Sequence, residues 1–216
     1  MTIEEFKREV EKLCIKCTDN QLALLEKYAY FLLEYNKSVN LTAIRDIEGV
    51  YLKHFYDSIL TFSNELIDFN KVDKLIDVGT GAGFPGLVIK IFFPNIKVTL
   101  LDSNNKKTKF LEKLISHLEL TGVTVVNERA ENYVKKHRQE FDVSVARAVS
   151  ELRIITELCL PLTKNNGYFI ALKSNYEEEL KNAIPVINEL NSKIALIKEF
   201  ELPKENSRRS IISNAI

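Results

Sequence analysis

The stretch DVGTGAGFPG, residues 77–86, decides the fold class of this chain. The apolar run KLIDV at 74–78 leads into its glycines, and PGLVIKIFF at 85–93 follows them with helical spacing. Glycines in such a strand-to-helix turn allow a tight bend and let a ligand approach the backbone with no Cβ in the way. The free N–H groups at the start of the helix favour a carboxylate or a phosphate. The stretch therefore predicts a ligand site at the carboxyl end of a strand.

Downstream of this stretch, short apolar runs alternate with amphipathic segments. The predicted strands are residues 97–102, 123–127, 141–147 and 168–173, followed by two last strands at 194–202 and 210–216. The predicted helices are residues 106–122, 151–162 and 176–190. We expect Gly122 to close the first of these helices and Pro185 to kink or break the last. This alternation indicates βαβ units, so the sequence predicts an α/β fold with a mostly parallel sheet and helices on both faces.

The first 70 residues follow a different pattern. Apolar residues recur at helical spacing around Tyr28, the polar stretch NKSVNLTAIRD interrupts them at 36–46, and a second helical stretch runs from about Gly49 to Leu66. No alternating run of β-branched residues occurs here. We therefore predict one domain over residues 1–216, with a helical N-terminal extension at 1–70 and a ligand-binding α/β core at 71–216.

Composition bounds the class of protein. Basic and acidic residues number 30 each, so the formal net charge is zero, which counts against a protein that coats nucleic acid through its overall field. Cys14, Cys17 and Cys159 provide no disulfide framework and favour a reducing compartment. We expect Cys14 and Cys17 to be buried thiols on one helix face, and we predict no metal site. With no signal core and no apolar stretch long enough to span a bilayer, we expect a cytoplasmic protein with no membrane contact.

Two aspartates give the predicted site its chemistry. Asp102 ends the next strand, a little over 20 residues beyond Gly79, where a carboxylate can accept hydrogen bonds from the ribose hydroxyls of an adenosine-bearing cofactor. Asp77 lies two residues before Gly79, where we expect it to engage the ammonium group of a methionine-like ligand. The glycine turn and Asp102, in this order and context, predict a nucleoside-type cofactor.

A nicotinamide-dependent oxidoreductase is the formal alternative, because GAGFPG at 81–86 also matches the dinucleotide-binding pattern GxGxxG. Three features count against it. The glycines lie in the middle of the chain, Pro85 falls at the strand-helix junction, and Asp77 would repel a pyrophosphate.

DVGTGAGFPG resembles motif I of the class I S-adenosylmethionine methyltransferases. Its FPG ending is similar to that of the glucose-inhibited division protein B family, the 16S ribosomal RNA guanine-N7 methyltransferases. Further similar segments are YNKSVNLTAIRD at 35–46, HFYDSIL at 54–60, LLDSNNKKTKFL at 100–111, RAENY at 129–133, FDVSVARAVSEL at 141–152 and ALKS at 171–174. The resemblance covers nearly the whole chain and implies a Rossmann-like class I methyltransferase fold.

The resemblance also implies S-adenosyl-L-methionine as the cofactor and assigns residues to it. Gly79 and Phe84 would line the cofactor site, Ala130 and Glu131 would lie near the adenine, and Arg147 would lie at the mouth of the site, near the cofactor and the acceptor. With the two aspartates and the other glycines of the motif, the expected cofactor-binding set is Asp77, Gly79, Gly81, Gly83, Phe84, Asp102, Ala130, Glu131 and Arg147.

Four residues are candidates for RNA contact: His54, Lys173, Arg208 and Arg209. Arg208 and Arg209 follow Lys204 in the densest local basic group. His54 and Asp57 lie three residues apart on one predicted helix face, so the two residues either contact RNA, fix the extension over the cofactor or form a structural hydrogen-bonded pair. The chain departs from the family pattern at Ala146, where the family has serine, in the turn at 164–167, and in its last residues, 213–216.

The mechanism implied by the resemblance needs no general base. Guanine N7 has a lone pair and no proton, so the enzyme orients N7 towards the sulfonium methyl group and excludes water. The expected partner is 16S ribosomal RNA or the small ribosomal subunit, and we expect a monomer. The alternatives are a methyltransferase for another RNA or a small molecule, the oxidoreductase, and a non-catalytic ribosome-assembly factor.

Overall fold

A computed structural model describes residues 1–63, 65–147, 150–205 and 207–216. In this part of the chain a seven-stranded sheet has the order β3-β2-β1-β4-β5-β7-β6. The strands are β1 (Lys74–Val78), β2 (Lys97–Leu101), β3 (Val123–Val126), β4 (Phe141–Arg147), β5 (Thr163–Lys173), β6 (Lys193–Leu202) and β7 (Ser207–Ala215). The first five are parallel, and β7 pairs antiparallel with both β5 and β6. The predicted α/β fold with a mostly parallel sheet is confirmed.

Helices cover both faces of the sheet. They are α1 (Ile3–Lys12), α2 (Asp19–Asn36), α3 (Ile47–Val50), α4 (Asp57–Ile59), α5 (Gly86–Phe92), α6 (Asn105–His117), α7 (Ala130–Lys136), α8 (Leu152–Cys159) and α9 (Glu177–Glu189). A π-helical stretch, Tyr51–Tyr56, joins α3 to α4, and a 3₁₀ turn, Leu60–Phe62, extends α4. Residues 47–62 thus form one continuous helical segment, which we call the 47–62 helix.

The N-terminal extension packs on one face of the sheet. Buried residues of α1, α2 and the 47–62 helix share an apolar cluster with α5, α6 and sheet residues such as Leu100 and Val145. Helices α7, α8 and α9 cover the opposite face around Ile76 and Ala171. Burial of these side chains stabilises the extension against the sheet, at about 25 cal/mol per Å² of apolar surface.

Threonine caps begin the first two helices. Thr2 accepts a hydrogen bond from the Glu5 N–H, and Thr18 accepts one from the Gln21 N–H. In both cases the side chain at the third helical position bonds back to the backbone of the cap residue, which completes a capping box. These caps satisfy N–H groups that have no partner inside the helix.

Three local predictions were wrong in whole or in part. Helix α6 ends at His117, and Glu119 with φ +54° takes the left-handed position that follows the helix end. Gly122 does not close this helix but leads into β3, where its carbonyl accepts from the Val98 N–H at 2.9 Å. Pro185 lies inside α9, which continues through it, so the helix is not broken there, and the kink stays a prediction. Cys14 is exposed and Cys17 is buried, because the chain leaves α1 at Leu13 and Cys14 itself has φ +60°.

The polar stretch 36–46 folds around one buried side chain. The Asn36 Oδ1 accepts from the N–H groups of Leu41 and Thr42 at 2.8 and 3.1 Å, and its Nδ2 donates to the carbonyls of Thr42 and Ile44. Asp46 then caps α3 by accepting from the Gly49 N–H at 2.8 Å. These bonds hold the loop at the same edge of the sheet as the glycine turn, since Thr42 lines a cavity with Gly79.

Among the described residues no helix is long and apolar enough to cross a membrane. This part of the chain also contains no group of three or more histidine, cysteine, aspartate or glutamate side chains that could hold a metal ion.

Candidate functional site

The candidate site opens where β1 and β4 end side by side. The chain turns from β1 to β2 on one side of this point and from β4 to β5 on the other. The connecting loops therefore diverge and leave a crevice at the carboxyl ends of the strands, which is the usual ligand site of an open α/β sheet. The glycine turn after β1 and Arg147 at the end of β4 border this crevice.

The glycine turn presents an open side to the crevice. Gly79 and Gly81 have φ values of +70° and +63°, which residues other than glycine rarely adopt. The N–H groups of Gly79 and Thr80 donate to the Leu101 carbonyl at 2.8 and 3.1 Å, which ties the turn to β2. A Cβ added at Gly81 would meet only the Gly79 carbonyl oxygen, at 4.0 Å. The space next to Gly81 is thus free for a ligand.

Asp77 supports the turn from beneath. Its side chain is fully buried, and its Oδ2 accepts from the Thr80 hydroxyl at 2.7 Å and from the Gly86 N–H at 2.8 Å. Burial raises the pKa of Asp77 to about 6. Through Oδ2 the carboxylate fixes the turn relative to the start of α5. Its Oδ1 has no hydrogen-bond partner among the described residues, and the contact of Asp77 with a ligand ammonium group stays a prediction.

Gly83 also faces the protein interior. A Cβ at Gly83 would lie 2.5 Å from the Tyr28 Oη and 2.7 Å from a Leu87 methyl carbon. The Tyr28 hydroxyl donates to the Ala82 carbonyl at 2.5 Å, so α2 is bonded directly to the turn. The Cβ side of Gly83 therefore faces the extension, and the contact of this residue with the cofactor stays a prediction. The residue must be glycine because the N-terminal extension packs there.

Hydrogen bonds to both carboxylate oxygens fix the orientation of Asp102. Its Oδ2 accepts from the Gly81 N–H at 2.9 Å and its Oδ1 from the Asn104 N–H at 2.8 Å, while the Lys107 Nζ lies 3.8 Å from Oδ2. Each oxygen keeps a second lone pair with which it can accept a hydroxyl group. Asp102 is 7% exposed and lines a cavity of about 390 Å³.

This first cavity brings together several predicted cofactor residues. Its walls include Gly79, Asp102, Ala130 and Glu131, with the apolar side chains of Ile154 and Leu158 on one side. The cavity has apolar side chains on one wall and the Asp102 carboxylate on another, which suits a purine nucleoside, whose base needs apolar surface and whose ribose hydroxyls require an acceptor. A second, smaller cavity of about 170 Å³ shares Gly79 and Lys107 with the first and continues past Gly81 to Phe84.

Phe84 closes the smaller cavity as the middle ring of a stack. Its centroid lies 5.2 Å from that of Tyr28, at 4° between the ring planes, and 4.5 Å from that of His54, at 14°. The Arg147 guanidinium lies 5.1 Å from the Phe84 centroid. The stack joins α2, the glycine turn and the 47–62 helix, so the extension forms one wall of the site.

The protonation of His54 follows from its partners. The Arg147 Nη2 lies 3.3 Å from His54 Nδ1, and because arginine can only donate, Nδ1 is the acceptor. The proton is therefore on Nε2, which donates to the Thr42 Oγ1 at 2.8 Å. Burial and the Arg147 charge lower the pKa of His54 to about 3. His54 is a neutral link between the 36–46 loop and Arg147, and among the described residues its side chain makes no hydrogen bond with that of Asp57.

A third cavity, of about 610 Å³, lies on the other side of Arg147. Its lining is Lys53, His54, Asp57, Arg147, Ser150, Leu172, Lys173, Ser174, Asn175, Glu179 and Arg209. It shares His54 and Arg147 with the smallest cavity and Ser150 with the nucleoside-sized one. The three spaces therefore lie next to one another around the end of β4.

The predicted RNA-contact residues divide in two groups. His54, Lys173 and Arg209 line this third cavity. Lys173 is mostly buried, and its Nζ contacts Glu179 at 2.6 Å and the Ser150 carbonyl. Arg208 lies elsewhere, paired with Glu177 at 2.6 Å and with Glu199 on the exposed side of β6 and β7. The structure thus brings three of the four residues together and leaves Arg208 outside.

Comparison with known proteins agrees with this geometry. The family model described as rRNA small subunit methyltransferase G matches residues 21–207. The chain belongs to this family. It is 45% identical to ribosomal RNA small subunit methyltransferase G of Pediococcus pentosaceus over 98% of this chain and 89% of that protein. It is also 45% identical to the protein of the same name from Bacillus subtilis, with the same coverage.

Solved structures support the fold. The chain is similar to Aeropyrum pernix fibrillarin, crystallised with natively bound S-adenosyl-L-methionine, at a TM-score of 0.57. The match covers 74% of this chain and 73% of fibrillarin at 12% identity. This likeness extends to the class I methyltransferase fold and no further.

Three residues that build the site of this methyltransferase G family member are not evident as functional residues from the sequence. Asn36 folds the 36–46 loop and Thr42 bonds to His54, yet neither type of residue predicts chemistry by itself. Asp57 was considered only as a partner of His54, whereas its carboxylate binds Arg147 and Arg209. The signal for all three was their position inside the segments at 35–46 and 54–60 that resemble the family.

Segment 141–152 is described only in part. Ala148 and Val149, which belong to this family-like segment, lie outside the described residues. Arg147 before them and Ser150 after them both line the site.

Proposed function

We propose that this protein transfers the methyl group of S-adenosylmethionine to N7 of a guanine in 16S ribosomal RNA. One observation carries the proposal. The small cavity at the glycine turn shares Gly79 with the nucleoside-sized cavity, and it shares His54 and Arg147 with the large cavity. In this proposal a methyl donor in the first space and a base in the third approach each other beside Phe84 and Arg147, which both line the small cavity.

The residues present fit the cofactor. Asp102 would accept hydrogen bonds from the ribose hydroxyls, and Ala130 and Glu131 would lie along the adenine. The open side of Gly81 would leave room for the methionine part. S-adenosylmethionine, when bound, supplies an electrophilic methyl group. Asp77 and Gly83 would act indirectly, by holding the turn that faces this group.

The chain's own residues would orient the acceptor rather than deprotonate it. His54 has its Nδ1 engaged by Arg147 and its pKa lowered to about 3, so it is a poor general base at neutral pH. Cys159 is buried, and burial raises the pKa of its thiol, which disfavours a thiolate nucleophile. A site without an activated base suits an acceptor such as guanine N7, which carries a lone pair and no proton.

The family name points to the small ribosomal subunit as the partner. We propose that the protein is a monomer in the cytoplasm, where its residues 1–216 act as one domain. The shared apolar cluster of the extension and the α/β core supports the single domain, because neither part would be covered without the other.

The decisive experiment uses small ribosomal subunits from cells that lack this protein. They are incubated with the protein and tritiated S-adenosylmethionine, and the labelled nucleoside is identified. We expect 7-methylguanosine in 16S RNA. Label in another nucleoside would refute the N7 reaction, and label only in a small molecule would refute the substrate class.

Cofactor choice is tested separately by thermal unfolding, since a ligand that binds only the folded state must raise the melting temperature. We expect S-adenosylmethionine to raise it and NADH to leave it unchanged. The reverse result would favour the oxidoreductase.

A further inference from the structure

One buried carboxylate of the extension binds two arginines of the sheet. Asp57 is 5% exposed and follows directly on the π-helical stretch. Its Oδ2 accepts from the Arg147 Nη1 at 2.9 Å, and its Oδ1 accepts from the Arg209 Nε at 3.1 Å. Arg147 ends β4 and Arg209 lies on β7, with β5 between these strands. Asp57 thus joins two cations that approach the third cavity from different strands.

The charges of this cavity do not cancel. Lys173 is paired with Glu179 at 2.6 Å, and Lys53 is paired with Glu205 at 2.7 Å. Asp57 carries one negative charge against the two positive charges of Arg147 and Arg209. The cluster of Asp57, Arg147 and Arg209 therefore keeps a net positive charge at the wall of the cavity. Such a site attracts an anion, and the anion that an RNA strand offers is a phosphodiester.

One nitrogen of the two guanidinium groups also remains available as a hydrogen-bond donor. Arg147 uses Nη1 for Asp57 and the Lys53 carbonyl, and Nη2 for His54. Arg209 uses Nε for Asp57, while its Nη1 donates to the Arg208 carbonyl at 2.9 Å. The Arg209 Nη2 has no hydrogen-bond partner among the residues that the structure describes. A guanidinium fixed through Nε presents its remaining N–H groups in a constant direction, which suits phosphate oxygens.

We propose that Asp57 is a positioning residue that holds Arg147 and Arg209 together as a binding site for a phosphodiester group next to the acceptor base. This inference rests on the proposed function, because it takes the third cavity as the place where RNA enters. Without the carboxylate, two like charges lose the anion between them and turn towards other acceptors or solvent. Asp57 itself makes no contact with RNA in this mechanism.

The sign of the expected effect makes the inference testable. Asp57→Asn removes a negative charge from the wall of an RNA-binding cavity. If the variant acted only through the net charge of the cavity, RNA binding would become stronger and would depend more steeply on salt concentration. A positioning role predicts the opposite, because the arginines lose their common anchor and at least one phosphate contact becomes weaker.

The experiment compares the wild type with Asp57→Asn, Asp57→Glu and Asp142→Asn. Asp142 is the control, because it is an ion-paired aspartate, half-buried and 2.7 Å from Lys164, that lies at the start of β4, away from the site. For each protein, kcat and KM for unmethylated small subunits are measured at several salt concentrations with saturating S-adenosylmethionine. Affinity for S-adenosylmethionine, melting temperature and direct binding of small subunits are measured in parallel.

We expect Asp57→Asn to lower kcat/KM by about tenfold to a hundredfold, the usual effect of losing a charge-assisted contact, with most of the change in KM. The slope of log KM against log salt should fall by about one. Asp57→Glu should restore part of the loss, and Asp142→Asn should stay close to the wild type. Affinity for S-adenosylmethionine should be unchanged in all four proteins.

An unchanged or lower KM in Asp57→Asn would overturn the inference. A loss of kcat/KM accompanied by an equal loss of S-adenosylmethionine affinity, or by a large fall in melting temperature, would also overturn it, since Asp57 would then act on the fold alone. A wild type that binds small subunits without methylating them would refute the proposed reaction instead. In that case the binding constants of wild type and Asp57→Asn still decide the role of Asp57.

Discussion

The two halves of the site are built in different ways. The cofactor half uses residues that lie close along the chain, such as Gly81 and Asp102, which are hydrogen-bonded across 21 positions. The acceptor half uses residues that are distant along the chain, since Asp57 binds Arg147 across 90 positions and Arg209 across 152. The glycine turn and Asp102 therefore follow from two successive strand-turn-helix units of the core, whereas the acceptor half exists only after the N-terminal extension and β7 have packed on the sheet.

This difference predicts that the halves can be damaged independently, except where they touch. The stack of Tyr28, Phe84 and His54 is the main contact between them, because it joins the extension to the glycine turn. Variants at this contact should affect both halves, and variants on either side should affect one.

Gly83→Ala should have the largest effect, because it acts at that contact. The added Cβ would lie 2.5 Å from the Tyr28 Oη on a backbone with φ +101°. Left-handed strain and overpacking together should lower the free energy of unfolding by about 3–4 kcal/mol. Urea unfolding measures this loss, and the double variant with Tyr28→Phe should recover part of it. Stability equal to the wild type would show that the extension is not packed tightly against the turn.

Arg147→Ala should damage the acceptor half alone. Loss of the guanidinium removes the link between His54, Asp57 and the base, so kcat/KM for small subunits should fall by about a hundredfold. Calorimetry should show nearly unchanged affinity for S-adenosylmethionine. Arg153→Ala, at an exposed pair with Glu157, is the control for the loss of an arginine. Near-normal turnover of Arg147→Ala would remove this residue from the mechanism.

Asp102→Ala should damage the cofactor half alone. Leaving the ribose hydroxyls and the Gly81 N–H without their acceptor should weaken S-adenosylmethionine binding by about 1–3 kcal/mol. The affinity of Asp102→Ala for small subunits should remain as in the wild type. The control is Asp73→Ala, which removes an exposed ion pair with Lys97 and should leave both affinities as in the wild type. Unchanged calorimetric affinity for S-adenosylmethionine would contradict the ribose assignment.

The same division explains what could be predicted from the sequence. The alternation of strands and helices after residue 74, and the glycine turn followed by Asp102, are local patterns, and the structure confirms the α/β fold and the place of Asp102 at the crevice. The pattern does not show which side of the turn each residue faces. Asp77 and Gly83 were therefore assigned to the ligand, whereas one is buried under the turn and the other packs against Tyr28.

The acceptor half could not be derived from local spacing. Nothing near Asp57 along the chain indicates that two arginines bind it, since both come from strands of the core. Arg208 and Arg209 show the same limit, because neighbours on a strand point to opposite faces. Arg209 enters the cavity, while Arg208 pairs with Glu177 and Glu199 at the surface.

The smallest effect that we expect is on the pH dependence of stability, to which the two halves of the site contribute with opposite signs. In the cofactor half, the pKa of Asp77 is raised from 3.8 to about 6, so its contribution to stability is present below pH 4 and is lost as the pH rises through 6. In the acceptor half, the pKa of His54 is lowered from 6.5 to about 3, so its contribution is present above pH 6.5 and is lost as the pH falls through 3. Between pH 4 and 6 the two slopes have opposite signs and offset one another in the wild type.

Removing one group at a time should expose the slope of the other. Relative to the wild type, the free energy of unfolding of Asp77→Asn should rise more steeply from pH 4 to 6, and that of His54→Asn should rise less steeply or fall. Urea unfolding at half-unit intervals measures both, and the differences from the wild type cancel the titration of all other groups. If the free energy of unfolding of either variant changes with pH in parallel with the wild type, the replaced side chain is not buried as described. The description of the half of the site to which it belongs would then be wrong.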